Sequence, residues 1–302
     1  VKLALTGATG FVGQAVLDQA EQQGVEVKAL TRRKQTPRRG VSWVPGNLDD
    51  VEALQELVRG SEAVIHVAGL VNAPDPAAFE AANVTGTLNL IEAAVAERVP
   101  RFAFVSSLAA REPELSAYGA SKARAEKLVA ASGLDWTIIR PPAVYGPRDA
   151  EMFELFRLAR WGVIPMPAEG RSSLIHVADL ARLLLALVPG GEDVTHRIFE
   201  PDDGRAGGWE HGELAGAIAA AMERRAFVPR LSRGALLRIA GADRFFRGTK
   251  AKLTPDRVNY MTHPDWVSGP DRAVPVSRWM PRIATGNGLK ETAAWYRENR
   301  WL

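Results

Sequence analysis

The chain contains no cysteine. Disulfides, thiolate nucleophiles and thiolate-bound metals are therefore excluded from its fold and its chemistry. Histidine is scarce too: five are scattered over 302 residues, without the clustering a metal site needs. No apolar run reaches the roughly 18 residues of a membrane-spanning helix. Neither sign of charge dominates, since 38 Lys and Arg face 35 Asp and Glu for a net +3. That balance gives no whole-molecule basis for nucleic-acid binding, and no nucleic-acid partner is expected. There is no low-complexity tract and no internal repeat. With 46% hydrophobic and 24% charged residues, the composition is that of a soluble globular protein. No charged-then-apolar leader precedes the first strand, so the expected location is cytoplasmic. A chain of this length can bury a sizeable core, in one large domain or two coupled ones.

Against these absences, glycine is concentrated where it counts. Thr6-Gly7-Ala8-Thr9-Gly10-Phe11-Val12-Gly13 follows the apolar run Leu3-Ala4-Leu5 and opens a helical pattern from about Phe11 to Gln23. A strand feeding such a turn presents bare N–H groups and a positive helix end to a pyrophosphate. Gly7 permits the turn, Gly10 admits the phosphates and Gly13 lets helix and strand pack closely, with Thr9, Phe11 and Val12 between them. The spacing G-x-x-G-x-x-G is one residue wider at the front than the usual dinucleotide fingerprint.

Strand-like and helix-like segments then alternate. Strands are predicted at Val25–Leu30, Val41–Val44, Ala63–Val67, Phe102–Ser106 and Trp136–Arg140. Helices are predicted at Val51–Val58, about Pro76–Ala96 and Ala117–Ser132. This alternation predicts an α/β, doubly wound parallel sheet of the Rossmann-like type, with ligands beyond the carboxyl ends of the strands. After Pro141-Pro142 the pattern loosens. The expected division is a dinucleotide-binding domain over 1–145 and a smaller, irregular C-terminal substrate lobe over 146–302, with about 172–188 packing back on the first domain.

The end of the second strand identifies the dinucleotide. An NAD-selective fold places an acid there for the ribose 2′-OH. This chain reads Leu30-Thr31-Arg32-Arg33-Lys34 instead. Guanidinium groups hold a 2′-phosphate that a carboxylate would repel. NADP(H) is therefore expected, with NAD(H) as the alternative, and with Arg32 and then Arg33 as phosphate contacts beside Thr31. Asn47 and Leu48, after the third strand, are placed to meet the adenine edge.

The chemistry is expected from Tyr118-Gly119-Ala120-Ser121-Lys122, where Tyr and Lys stand four apart on one helix face. A nearby ammonium favours the phenolate and lowers a tyrosine pKa that is otherwise near ~10. Ser107, at the end of the fifth strand, can hold a carbonyl or alcohol oxygen.

With these motifs in order, the chain resembles the short-chain dehydrogenase/reductase superfamily, in its extended branch of epimerases, dehydratases and reductases. The carriers are TGATGFVG at 6–13, HVAG at 66–69, NVTGT at 83–87, SS at 106–107, YGASK at 118–122 and RPPAVYGP at 140–147. The resemblance implies that Ser107 positions substrate, Tyr118 is the acid–base group and Lys122 also holds the nicotinamide ribose. It implies that Ala68 and Gly69 line the cofactor's path and that Pro141, Ala143 and Val144 pass its nicotinamide end. Asn83 matches a structural asparagine, and a homodimer through the helices near 76–96 and 117–132 is implied. Only eleven positions separate Ser107 from Tyr118, which favours a compact, small-molecule substrate over a nucleotide sugar. The leading expectation is reduction of a carbonyl, or oxidation of a secondary alcohol. A sugar-nucleotide epimerase or dehydratase and a cofactor-binding regulatory subunit are the alternatives.

One stretch fits none of this. Residues 224–252 interleave arginine and lysine with Leu231, Leu236, Leu237, Ile239, Phe245 and Phe246. The expectation is a helix packing its apolar face on the lobe with its cations in water. An anionic membrane surface, a partner, or an acidic or lipid-like substrate are the other occupants considered.

Overall fold

The computed structural model describes residues 2–73, 75–248, 251 and 253–302. They group into two compact units. The first comprises the chain up to Pro141 with Ala178–Pro201 and Asp271–Met280; the second comprises Pro142–Val177, Asp202–Pro270 and Pro281–Leu302.

In the first unit seven parallel strands form one sheet. They are β1 (Lys2–Thr6), β2 (Glu26–Thr31), β3 (Val41–Pro45), β4 (Ala63–His66), β5 (Phe102–Val105), β6 (Trp136–Ile139) and β7 (Arg197–Phe199). Their order is β7-β6-β5-β4-β1-β2-β3. β4 and β5 are buried at every position rather than alternately, as expected of a parallel sheet covered on both faces. Flanking it are α1 (Phe11–Gln22), α2 (Val51–Val58), α3 (Pro76–Phe79), α4 (Gly86–Ala96) and α5 (Ala117–Ala131). Leu54, Leu57, Leu90, Ile91 and Val129 from these helices share one core with Val64, Phe102, Phe104 and Ile138 of the strands. Each such side chain, fully buried, contributes about 1.5–3 kcal/mol. The order reverses between β1 and β4, which places a ligand crevice at their carboxyl ends.

Two elements differ from the sequence reading. The helix expected over 76–96 is interrupted by a π-helical turn at Glu80–Thr85. The widened turn re-aims Asn83, whose side chain leaves the helix surface to bind the loop after β4. β7 was not among the expected strands, because three residues are too few to show a period.

The second unit is built from short pairings. Ala143–Tyr145 runs parallel to Leu174–His176, and Met166–Pro167 runs parallel to Arg230–Leu231. Helices Phe153–Ala159, His211–Ala221 and Thr285–Glu298 enclose a core that includes Tyr145, Phe156, Ile218, Leu289 and Tyr296. Trp295 meets Trp301 edge-on at 5.1 Å, packing rather than offering a platform.

Candidate active site

The glycine turn is built by close approach. Gly7 has φ 73°, and a Cβ on it would lie 2.7 Å from the Ala68 nitrogen. A Cβ on Gly13 would collide with the Gly7 carbonyl. The close approach of the turn after β1, the first helical turn and the segment after β4 thus leaves no room for a side chain at Gly7 or Gly13. The Gly10 N–H donates to the Gly7 carbonyl at 2.9 Å. α1 has neither a side-chain cap nor an acid in its first turn. Its N–H groups and dipole are left for an external anion, which is the fit expected for a dinucleotide pyrophosphate. Thr9 and Gly10 are exposed, and Phe11 and Val12 are half-buried.

Beyond β2 lies a cavity of about 430 Å³ lined by Thr31, Arg32, Arg33, Lys34, Gln35, Trp43, Pro45, Gly46 and Asn47. Thr31 is buried, and its hydroxyl donates to the Arg33 carbonyl at 2.7 Å. Gln35 donates to both Thr31 Oγ1, at 3.3 Å, and the Arg33 carbonyl, at 3.0 Å. These bonds hold the loop while the Arg32 and Arg33 guanidinium groups remain without an ion pair among the described residues. Asn47 Oδ1 accepts from the Asp49 N–H at 2.7 Å. Leu48 is clamped by α4: its carbonyl accepts from Asn89 Nδ2 at 2.8 Å. Trp43 and Gln35 were not foreseen. An alternating strand residue and a loop amide carry no local signal of facing a cavity.

At the carboxyl end of β5, several predicted groups meet. Lys122 is buried, and its Nζ donates to the Val105 carbonyl at 2.8 Å. The ammonium lies 4.6 Å from the centre of the Phe104 ring. Burial lowers its pKa to about 8, and the Glu126 carboxylate one turn later partly offsets that. Ser107 caps the short 3₁₀ helix Leu108–Arg111, accepting from the Ala109 N–H at 3.2 Å. The Leu108 N–H donates to the Pro141 carbonyl at 3.1 Å, which puts Pro141 beside Ser107. α5 begins against this 3₁₀ helix, because a Cβ on Gly119 would lie 2.6 Å from the Ala109 carbonyl. Tyr118 therefore emerges, half-buried, in the first turn of α5, with its ring 6.0 Å from Phe79. Ala143 and Val144 belong to the second unit, in strand Ala143–Tyr145.

Below these groups lies a buried carboxylate that the motifs did not reveal. Glu126 Oε1 accepts from Ser106 Oγ at 2.5 Å, and Arg140 grips the same carboxylate through Nε at 2.9 Å and a second nitrogen at 2.6 Å. This bidentate pair ties α5 to the ends of β5 and β6.

A continuous hydrogen-bond chain links the glycine turn to α5. Asn83 accepts from the Leu70 N–H at 2.7 Å and donates to the Leu70 carbonyl and to Ser121 Oγ. A Cβ on Gly69 would lie 2.9 Å from Asn83 Oδ1 and 3.7 Å from Lys122 Nζ. Thr87 donates its only proton to the Asn83 carbonyl at 2.7 Å, so it can only accept from His66 Nε2, at 2.9 Å. His66 Nδ1 must then accept from Thr6 Oγ1, at 2.6 Å, and Thr6 accepts from the Ala68 N–H at 3.2 Å. His66 is a neutral, fully bonded joint, not a proton carrier. Burial, with Lys122 nearby, pushes its pKa down to about 3. The folded state refuses a proton that the unfolded chain accepts below its ordinary 6.5, so stability is lost as pH falls from 6.5 toward about 3. Between about pH 6 and about pH 4, urea unfolding of the wild type should lose about 1.4 kcal/mol per pH unit more than His66→Gln. Equal slopes would remove His66 from this role.

The sequence profile of the NAD dependent epimerase/dehydratase family matches residues 3–199. The chain belongs to this family. It lies within the extended short-chain dehydrogenase/reductase superfamily and is an enzyme of that type with a nicotinamide dinucleotide cofactor. The chain is 35% identical to a ceramide reductase of Caulobacter vibrioides, over 99% of this chain and 96% of that one. It is 30% identical to a 4-hydroxy-2-methyl-3-oxo-4-farnesyl-3,4-dihydroquinoline-1-oxide ketoreductase of Stigmatella aurantiaca, over 62% of this chain and 65% of that one. The fold is that of the Bordetella bronchiseptica enzyme WbmH, solved with NAD+, at a TM-score of 0.77 and 21% identity, covering 98% of each chain. Among the described residues no helix is long and apolar enough to cross a membrane.

Proposed function

We propose that this family member is an NADP(H)-dependent carbonyl reductase whose reaction centre is Ser107, Tyr118 and Lys122. The observation that carries the reading is the convergence at the end of β5. Lys122 Nζ sits on the Val105 carbonyl, and Ser107 caps the 3₁₀ helix against which the first turn of α5 packs. When bound, reduced nicotinamide supplies the hydride for the carbonyl carbon. Ser107 donates a hydrogen bond to the carbonyl oxygen and fixes it. Tyr118 delivers the proton to that oxygen as negative charge develops there. Lys122 stabilises the phenolate left behind, and its burial keeps that ammonium close and unscreened. The glycine turn holds the pyrophosphate, while Arg32 and Arg33 hold a 2′-phosphate in the cavity after β2. The same reading includes a homodimer through α4 and α5, which would cover the exposed Leu88 and Val95.

For the substrate, the ceramide reductase relative supports a carbonyl on a long-chain lipid over a nucleotide sugar, and the short Ser107–Tyr118 insert agrees. The test follows NADPH absorbance with long-chain keto lipids, simple ketones and sugar nucleotides as substrates. NADPH consumption matched by alcohol formation from a keto lipid is the expected result. Interconversion of a nucleotide sugar without net NADPH consumption would overturn it in favour of an epimerase or dehydratase.

A further inference from the structure

Helix Arg233–Arg247 is apolar on two opposite faces. One is accounted for: Leu236 and Ala240 are buried against Val258, with Leu231, Leu237 and Leu253 packed around them. A helix with water as its only other neighbour would be polar on the opposite face. This one presents Ile239, Ala242 and Phe246 at spacings of three and four, with Phe245 beside them. Phe245 and Phe246 are 83% and 82% exposed, and their rings pack edge-on at 5.3 Å against each other. The expectation of an apolar face packed on the lobe thus holds for Leu236 and fails for the phenylalanine pair.

A second aromatic patch belongs to the same segment of the second unit. Trp161 is 75% exposed and Phe227 is 70% exposed. Val163 and Phe227 form a bridge, and the Arg160 guanidinium lies 5.8 Å from the Trp161 ring centre. From there the backbone is laced to its neighbour up to the start of the helix. The Ile164, Met166 and Ala168 N–H groups donate to the Phe227, Pro229 and Leu231 carbonyls at 2.9, 3.1 and 3.0 Å. The Trp161–Phe227 patch is therefore carried on hydrogen-bonded backbone that leads into the helix.

The charge of this segment is mostly positive. Residues 224–248 hold seven arginines and one aspartate, in a chain whose total is +3. That aspartate, Asp243, pairs with Arg247 at 3.2 Å. Arg238 and Arg244 have no acidic partner among the described residues. Lys250 and Lys252, part of the basic run in the sequence, lie outside the described residues.

We propose that helix Arg233–Arg247, with the Trp161–Phe227 patch, is a docking surface for an anionic lipid bilayer. Phe245 and Phe246 enter the boundary between headgroups and acyl chains, and Arg238 and Arg244 pair with lipid phosphates. Charge complementarity selects this occupant. A second copy of the chain would set arginines against arginines across a two-fold axis. Nucleic acid would use the aromatic rings and phosphate contacts but offers nothing to Ile239, Ala242 and Val163. The inference needs no turnover, so it stands or falls apart from the reductase reading.

The experiment sediments the full chain with phosphatidylcholine vesicles, with and without phosphatidylglycerol, at low and high salt. Binding is expected only with the anionic lipid and is weakened by salt. Phe245→Ser with Phe246→Ser should weaken it roughly tenfold or more. Arg238→Ala with Arg244→Ala should weaken it by a similar factor and flatten the salt dependence. Because these side chains are solvent-exposed, both variants should keep the wild-type melting temperature and NADPH affinity. No sedimentation with anionic vesicles at low salt would overturn the proposal. So would equal vesicle binding by the variants. Binding to an oligonucleotide, or phenylalanine-dependent dimerisation, without vesicle binding would overturn it as well.

Discussion

Replacing Tyr118 with phenylalanine should lower carbonyl reduction by roughly 10²- to 10⁴-fold, the range that a positioned general acid supplies. The change removes one hydroxyl and leaves the ring against Phe79, 6.0 Å away. The N-terminal cap of α5, from Ser116 to the Gly119 N–H at 3.0 Å, does not involve the phenol. The NADPH dissociation constant should therefore stay nearly unchanged while kcat collapses. Lys122→Met should differ by failing in both, because the same ammonium is assigned to the nicotinamide ribose and to the phenolate. It also vacates a buried site on the Val105 carbonyl, so its folding is checked by melting temperature. Steady-state kinetics with a keto lipid and NADPH titration by fluorescence decide the matter. Retained turnover in Tyr118→Phe would take the proton from another donor and end the Ser-Tyr-Lys assignment.

The second large effect concerns cofactor choice. Removing both guanidinium groups, as Arg32→Ala with Arg33→Ala, should weaken NADPH binding by roughly 100-fold. Each charge-assisted bond to a phosphate is worth about 1.5–3 kcal/mol before screening. NADH, which lacks the 2′-phosphate, should lose little. Both arginines are exposed at the mouth of the cavity of about 430 Å³. Added salt should therefore narrow the wild-type gap between NADPH and NADH. Wild-type binding that favours NADH, or an equal loss of both cofactors in the double variant, would defeat the NADP assignment. Thr31 is the weaker part of that assignment, since its hydroxyl proton is committed to the Arg33 carbonyl. Its measurable role is to shape the loop that carries the arginines.

Much of this site was legible because its signals are local. Gly7 and Gly13 announce close backbone approach by type and spacing, and the structure supplies the neighbours: the Ala68 backbone for one and the Gly7 carbonyl for the other. Tyr118 and Lys122 declare a shared helix face by being four apart. The apolar runs Ala63–Ile65 in β4 and Phe102–Val105 in β5 declare a sheet covered on both sides. What stayed hidden depends on partners distant in the chain. Glu126 reads as an ordinary helix surface acid until Ser106 and Arg140 close on it. Trp43 reads as half of a strand alternation until the loop after β2 folds beside it. The π turn at Glu80–Thr85 has no compositional mark, and the bonds that Asn83 makes from it go to Leu70 and Ser121, outside any local window.

From the sequence alone came the α/β alternation, the glycine turn, the absence of an acid after β2 and the residue types of the proposed reaction centre. All of these are properties of neighbours within one turn or one strand. Tertiary structure alone decided that Lys122 seats its ammonium on the Val105 carbonyl at the end of β5, and that His66 is a neutral link between Thr6 and Thr87. It also decided which face of Arg233–Arg247 is buried and which is bare. The reason is physical: burial and hydrogen-bond partnership depend on what the rest of the chain brings to a residue, and no local window of sequence contains that information.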